Sequence, residues 1–166
     1  VYQIYIDRKD RAWFATDGAG VACKDGDKII SYKDKAGLKS HVVYGLSEDR
    51  EGHLWLNTLE QGIVKFDGTK FKPLHANGNG QANSISAIIA GDSGELVIMQ
   101  KKGIDLVQTA NGRTLHWGKN NGITQQQINL NVIGRDPLGK TWIGTDEGLI
   151  SLNPIPSGMQ WEAKSM

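Results

Sequence analysis

The sequence predicts an all-β molecule built of β-propeller blades, about four four-stranded antiparallel repeats, and three observations carry that prediction. One motif recurs four times, with anchor positions 13, 55, 97 and 142 separated by 42, 42 and 45 residues. Short apolar runs of strand length flank each recurrence. The chain also holds 21 glycines, with Asn-Gly pairs at 77–78, 79–80, 111–112 and 121–122 that would interrupt helices too often. A helical repeat of similar length would show i, i+3, i+4 periodicity over about ten residues or more, and none is found. Four-stranded units recurring every ~40–45 residues are the mark of propeller blades.

Each unit divides into four strands. The first is an apolar run: Val1–Ile6, Val42–Leu46, Ile85–Ile89 and Leu130–Ile133. It ends in a turn of Asp-x-x-Gly type, clearest in Asp136-Pro137-Leu138-Gly139, where Asp, Pro and Gly suit a type I turn. The second strand holds the anchor, as in Leu54-Trp55-Leu56-Asn57-Thr58. The third begins at a Gly-aliphatic pair: Gly20-Val21, Gly62-Ile63, Gly103-Ile104 and Gly148-Leu149. The fourth is more polar, as suits the wet outer edge of a blade: Lys28–Tyr32, Lys70–Lys72, Arg113–Trp117 and Met159–Trp161. The chain therefore reads as a single propeller segment, 1–166, with approximate blades 1–41, 42–83, 84–128 and 129–166. It begins at a first strand and ends near a fourth, so neither end completes a blade for the other. An unclosed arc leaves apolar blade faces bare, which makes the four blades read as a segment of a larger ring, for example one of seven blades.

The chain carries 19 Lys and Arg against 18 Asp and Glu, a formal net charge of +1, which gives no electrostatic reason to expect nucleic acid. No apolar stretch approaches the ~20 residues of a membrane span, so the segment is not expected to be membrane-embedded. Val1 opens directly on a strand-like run, and no signal peptide is expected. Cys23 is the single cysteine, which excludes an internal disulfide and reads as an inert buried thiol.

The consensus of the units, Val-x-x-Ile-x-x-Asp-x-x-Gly-x-Leu-Trp-Ile-Gly-Thr-x-x-Gly-Leu, resembles the two-component regulator propeller repeat. Residues 130–153 match best, through Asp136, Gly139, Trp142-Ile143-Gly144-Thr145 and Gly148-Leu149. The second unit matches through Asp49, Gly52, Leu54-Trp55-Leu56, Thr58 and Gly62-Ile63. The first has Asp10 where glycine is usual. The third departs most, with Gly91 for Asp, Val97 for Trp and Gln100 for Thr. The resemblance implies a sensor: the extracytoplasmic, periplasmic part of an inner-membrane hybrid histidine kinase, responding to an oligosaccharide and dimerising through the parent receptor. Nothing in the residues themselves shows sugar binding, and fold alone does not give function.

The repeated residues read as scaffold. Trp13, Trp55 and Trp142 share one packing slot, Asp7, Asp49 and Asp136 bond their turns, and Thr16, Thr58 and Thr145 bond the following loops. No histidine pair has metal-ligand spacing, no nucleophile cluster can be assigned, and no cofactor or metal is expected. His53, in a turn, and His116, on an outer strand, read as solvated. Function is sought instead where the repeat breaks, at the face made by the second-to-third-strand loops and the connections between blades. The candidate ligand contacts there are His41, His75, Asn77, Glu60, Lys101, Lys102, Asn120, Asn121, Gln125, Asp146 and Glu147. The leading reading is a non-catalytic ligand-sensing segment. The alternatives are a propeller lyase or glycan hydrolase, and a protein-binding scaffold.

Overall fold

The repeated turn explains why each unit folds as it does. Asp49 Oδ1 accepts the backbone N–H groups of Glu51 and His53 at 3.0 and 2.9 Å, and its Oδ2 accepts the Trp55 indole N–H at 2.8 Å. Asp7 serves Lys9, Arg11 and Trp13 in the same way, and Asp136 serves Leu138, Lys140 and Trp142. One carboxylate therefore closes the first hairpin and fixes the anchor tryptophan of the next strand. The computed structural model describes residues 1–74, 85–118, 128–146, 148–153 and 163–165.

Four four-stranded antiparallel sheets result, each in strict chain order. Blade 1 contains β1 (Gln3–Ile6), β2 (Ala12–Ala15), β3 (Val21–Asp25) and β4 (Lys28–Ser31). Blade 2 contains β5 (Val43–Glu48), β6 (Leu54–Thr58), β7 (Gly62–Phe66) and β8 (Phe71–Pro73). Blade 3 contains β9 (Ile85–Ala90), β10 (Glu95–Gln100), β11 (Gly103–Gln108) and β12 (Thr114–Trp117). Blade 4 contains β13 (Ile128–Arg135), β14 (Thr141–Thr145), β15 (Gly148–Leu152) and β16 (Ala163–Ser165). The described residues contain no helix, and the all-β propeller fold expected from the sequence is the fold found. The last outer strand described is Ala163–Ser165, and the expected Met159–Trp161 lies outside the described residues.

The blades pack face to face along the chain. Trp13, Ala15, Val21 and Cys23 of blade 1 meet Leu46, Leu54, Leu56, Val64 and Phe66 of blade 2. Trp55 and Ile63 meet Ile88, Leu96 and Ile98 of blade 3. Val97, Met99 and Ile104 meet Ile143, Ile150 and Leu152 of blade 4. Cys23 is buried in the first of these cores, and burial raises its thiol pKa. Each blade thus has a forward face bearing the anchor and a back face that receives the anchor of the blade before.

Blade 3 keeps its hairpin without the Asp–Trp pair. Gly91 leaves the space of the missing aspartate to the Glu95 side chain, which accepts the Ser93 amide at 2.9 Å. Val97 fills the anchor slot with no polar atom to satisfy, and it is fully buried. At the centre the first strands converge on Gly45. Gln3 Oε1 accepts the Leu46 amide at 2.7 Å, and Asn131 Nδ2 donates to the Tyr44 carbonyl at 2.6 Å. A Cβ at Gly45 would meet both side chains.

Candidate functional site

The turns β2–β3, β6–β7, β10–β11 and β14–β15 share one face with the connections between blades. The repeated threonines stiffen it: Thr16 and Thr58 hydroxyls donate to the Gly20 and Gly62 carbonyls at 2.7 Å, and Thr145 to Gly148 at 3.1 Å. The β4–β5 connection is tied down by the His41 carbonyl, which accepts the Gly18 and Gly20 amides at 2.9 and 2.7 Å. Tertiary bonds thus order this face before any ligand arrives.

Of the expected contact residues, five stand on this face among the described residues. His41 Nε2 lies 2.9 Å from Asp34 Oδ1, with the imidazole half exposed. Glu60 is bonded to the Ser40 hydroxyl, and burial, which raises its pKa, is outweighed by that bond and the amides of Glu60, His41 and Val42, so its carboxyl titrates low. Glu60 is therefore committed to the connection, beside the His41 backbone. Lys101 and Lys102 are exposed on the β10–β11 turn, and Asp146 is exposed on the β14–β15 turn. His75, Asn77, Asn120, Asn121, Gln125 and Glu147 lie outside the described residues.

Two groups of residues escaped the sequence reading. The first is at the mouth of the central channel, where Tyr2 and Tyr44 occupy matching places at the start of β1 and β5. Their ring centroids are 5.2 Å apart with a tilt of 50°. Tyr2 is partly exposed, and its hydroxyl pKa is raised by burial and then by the nearby Asp17 carboxylate. Asn131, the matching residue of β13, bonds the Tyr44 carbonyl. Aromatic faces beside a carboxylate and an amide form a surface that can stack on a ring and accept its donors. The second group is on blade 3, where Asp105 accepts from Gln100 Nε2 and lies 2.5 Å from His116 Nδ1. His116, expected to be solvated, is half exposed and hydrogen-bonded to Asp105.

Among the described residues, the side chains grouped closely enough to hold a metal are Asp49, Glu51 and His53. They sit on a hairpin at the opposite end of the blade, and both Asp49 oxygens are already engaged by the turn and Trp55. That geometry serves the hairpin.

A family model described as the two component regulator propeller matches residues 37–60, from the β4–β5 connection through the Asp49 turn to the end of β6. Residues 37–60 are thus similar to one unit of that repeat. Three solved structures have the same fold. The extracellular domain of the putative hybrid two component system BT3049 from B. thetaiotaomicron is 23% identical, with a TM-score of 0.71 over 91% of this chain and 21% of that one. The extracellular domain of the putative one component system BT4673 from the same organism is 18% identical, with a TM-score of 0.65 over 99% of this chain and 31% of that one. The dihydro-heme d1 dehydrogenase NirN, in complex with DHE, is 16% identical, with a TM-score of 0.60 over 98% of this chain and 35% of that one. The chain thus spans about a fifth to a third of the structures it matches. These likenesses show the fold, which an enzyme also uses. No curated protein matches the sequence. Among the described residues, no helix is long and apolar enough to cross a membrane.

Proposed function

We propose that the chain is a non-catalytic, ligand-sensing propeller segment of a two-component signalling receptor of the hybrid histidine kinase type. In this reading it sits on the extracytoplasmic side of the inner membrane and responds to an oligosaccharide. The four blades form part of a larger ring, and the parent receptor dimerises. The observation that carries the ligand reading is the Tyr2–Tyr44 pair with Asp17 at the channel mouth. It presents aromatic surface and acceptors together, which suits a ring with apolar faces and hydroxyl rims. The repeat and the extracellular domains that share the fold support a receptor context.

The test is a thermal-shift panel of oligosaccharides against the wild-type chain and the Tyr2→Ala and Tyr44→Ala variants. At least one oligosaccharide should raise Tm in a saturable manner, and either variant should weaken the effect about tenfold or more. Turnover of a stabilising glycan would favour an enzyme. A saturable protein partner with no glycan response would favour a scaffold.

A further inference from the structure

Blade 3 breaks the repeat twice in one place. The second residue after each third-strand glycine is Ala22 in blade 1, Val64 in blade 2 and Ile150 in blade 4, all apolar and turned onto the back face. In blade 3 it is Asp105, with only 8% of its surface exposed. The threonine that closes the β2–β3, β6–β7 and β14–β15 turns is replaced in blade 3 by Gln100, also buried, which turns its amide onto Asp105. A carboxylate in a slot built for an aliphatic side chain is costly to bury unless it is paired. His116 supplies the pairing from β12. Two neighbouring substitutions that together install a satisfied polar group differ from random decay of a repeat.

These groups line a cavity of about 100 Å³ between blades 2 and 3. Ile63, Leu74, Ile85, Ile98 and Val107 give it aliphatic walls, and Gln100, Asp105 and Thr114 give it polar atoms. The partly exposed Gln61, Gly62 and Thr114 lie towards solvent. One water needs about 10–15 Å³ by this measure, so several waters or a short carbon skeleton fit.

We propose that this interblade cleft is a binding subsite for a neutral hydroxyl-bearing group, a short polyol or the exocyclic arm of a sugar. It rests on the ligand-sensing reading of the same face. Three features select that chemistry. Asp105 is already engaged by the His116 ring nitrogen and the Gln100 amide, so the cleft does not call for a cation. Each carboxylate oxygen takes one described bond, which leaves lone pairs for hydroxyl donors, and the Thr114 hydroxyl can donate or accept. The aliphatic walls suit the C–H side of a polyol carbon chain.

The test uses this chain with ¹³C-labelled Ile, Leu and Val methyls, titrated separately with erythritol and with n-butylammonium of similar length. Erythritol should shift the methyls of Ile63, Leu74, Ile98 and Val107 saturably. Asp105→Leu, which restores an aliphatic side chain to the slot, should weaken that response at least tenfold. Ile63→Phe, which narrows the cleft from blade 2, should do the same and serves if Asp105→Leu fails to fold. No saturable shift in the wild type, an unchanged response in both variants, or tighter binding of n-butylammonium would overturn the proposal. A glycan that moves Tyr2 and Tyr44 signals while the cleft methyls stay still overturns the cleft and leaves the sensor reading standing. Erythritol bound in the cleft with no glycan stabilising the chain does the reverse.

Discussion

At Asp49 one carboxylate accepts two turn amides and the buried indole N–H of Trp55, so its removal strands three donors. Asp49→Ala is expected to lower stability by about 2–4 kcal/mol, since an unsatisfied buried donor costs ~1–3 kcal/mol. The loss in the double variant Asp49→Ala, Trp55→Val should be clearly less than the sum of the two single losses, because the apolar anchor leaves no indole N–H to satisfy. Blade 3 already embodies that logic with Gly91 and Val97. Urea unfolding of the three variants measures the coupling, and strict additivity would refute it. The same carboxylates set the acid limit. Burial works to raise the pKa of Asp7 and Asp49, but the hydrogen bonds from the indole and the turn amides outweigh it, and both lie below 3.8. A folded carboxyl held below its unfolded value contributes stability that is complete above about pH 4 and is lost as pH falls through the folded value. Unfolding free energy should therefore drop below pH 4, and Asp49→Asn should flatten that drop. These roles were legible because they repeat. Tyr2 with Tyr44, and Asp105 with His116, were not, because each contact depends on which residues the register places across neighbouring strands.

The third strand of each blade starts on or directly after a glycine with positive φ, +67° and +69° at Gly20 and Gly62, and +142° at Gly103 and Gly148. The last two allow a controlled comparison. A Cβ at Gly103 would run into the Trp117 backbone, whereas at Gly148 it meets nothing within 4 Å among the described residues. Both Gly→Ala changes carry the backbone penalty of ~1–3 kcal/mol. Gly103→Ala should cost measurably more, because β12 must also shift away. Equal losses in chemical denaturation would show that the Trp117 backbone yields freely. At this scale the sequence reading placed the strands well where a glycine or an aspartate marks their ends. It fell short where the last residues before the turn are polar, as at β5, which runs on through Ser47 to Glu48 beyond the expected Leu46. Glu48 continues the strand by pairing with Leu54, and its buried carboxylate accepts the Arg8 amide of the neighbouring hairpin at 2.9 Å, a tertiary contact with no local sequence mark.

Across the whole molecule, burial of equivalent residues differs with blade position. The residue after the third-strand glycine is 0% exposed at Val21 and Ile104 and 7% at Ile63, but 58% at Leu149. Trp13 and Trp55 are buried, while Trp142 in the same slot is only partly so. On the back face of blade 1, Ile4 is 61% and Ile6 56% exposed, although Leu46 of blade 2, the counterpart of Ile4, is buried. The forward face of blade 4 and the back face of blade 1 are thus the two halves of the interface that blades 1–2, 2–3 and 3–4 each complete. A heterologous pair of faces on one chain associates head to tail. The chain on its own should therefore self-associate at micromolar concentrations, and Ile4→Lys with Leu149→Lys should return it to monomer with little change in unfolding free energy. Truncating Trp55 should cost ~3–5 kcal/mol, and Trp142 clearly less. Joining further blades of the same repeat to either end should close that gap and suppress self-association in sedimentation velocity. A wild-type chain that stays monomeric, with Trp142→Ala as damaging as Trp55→Ala, would mean that the two faces already cover each other and the four blades need no others.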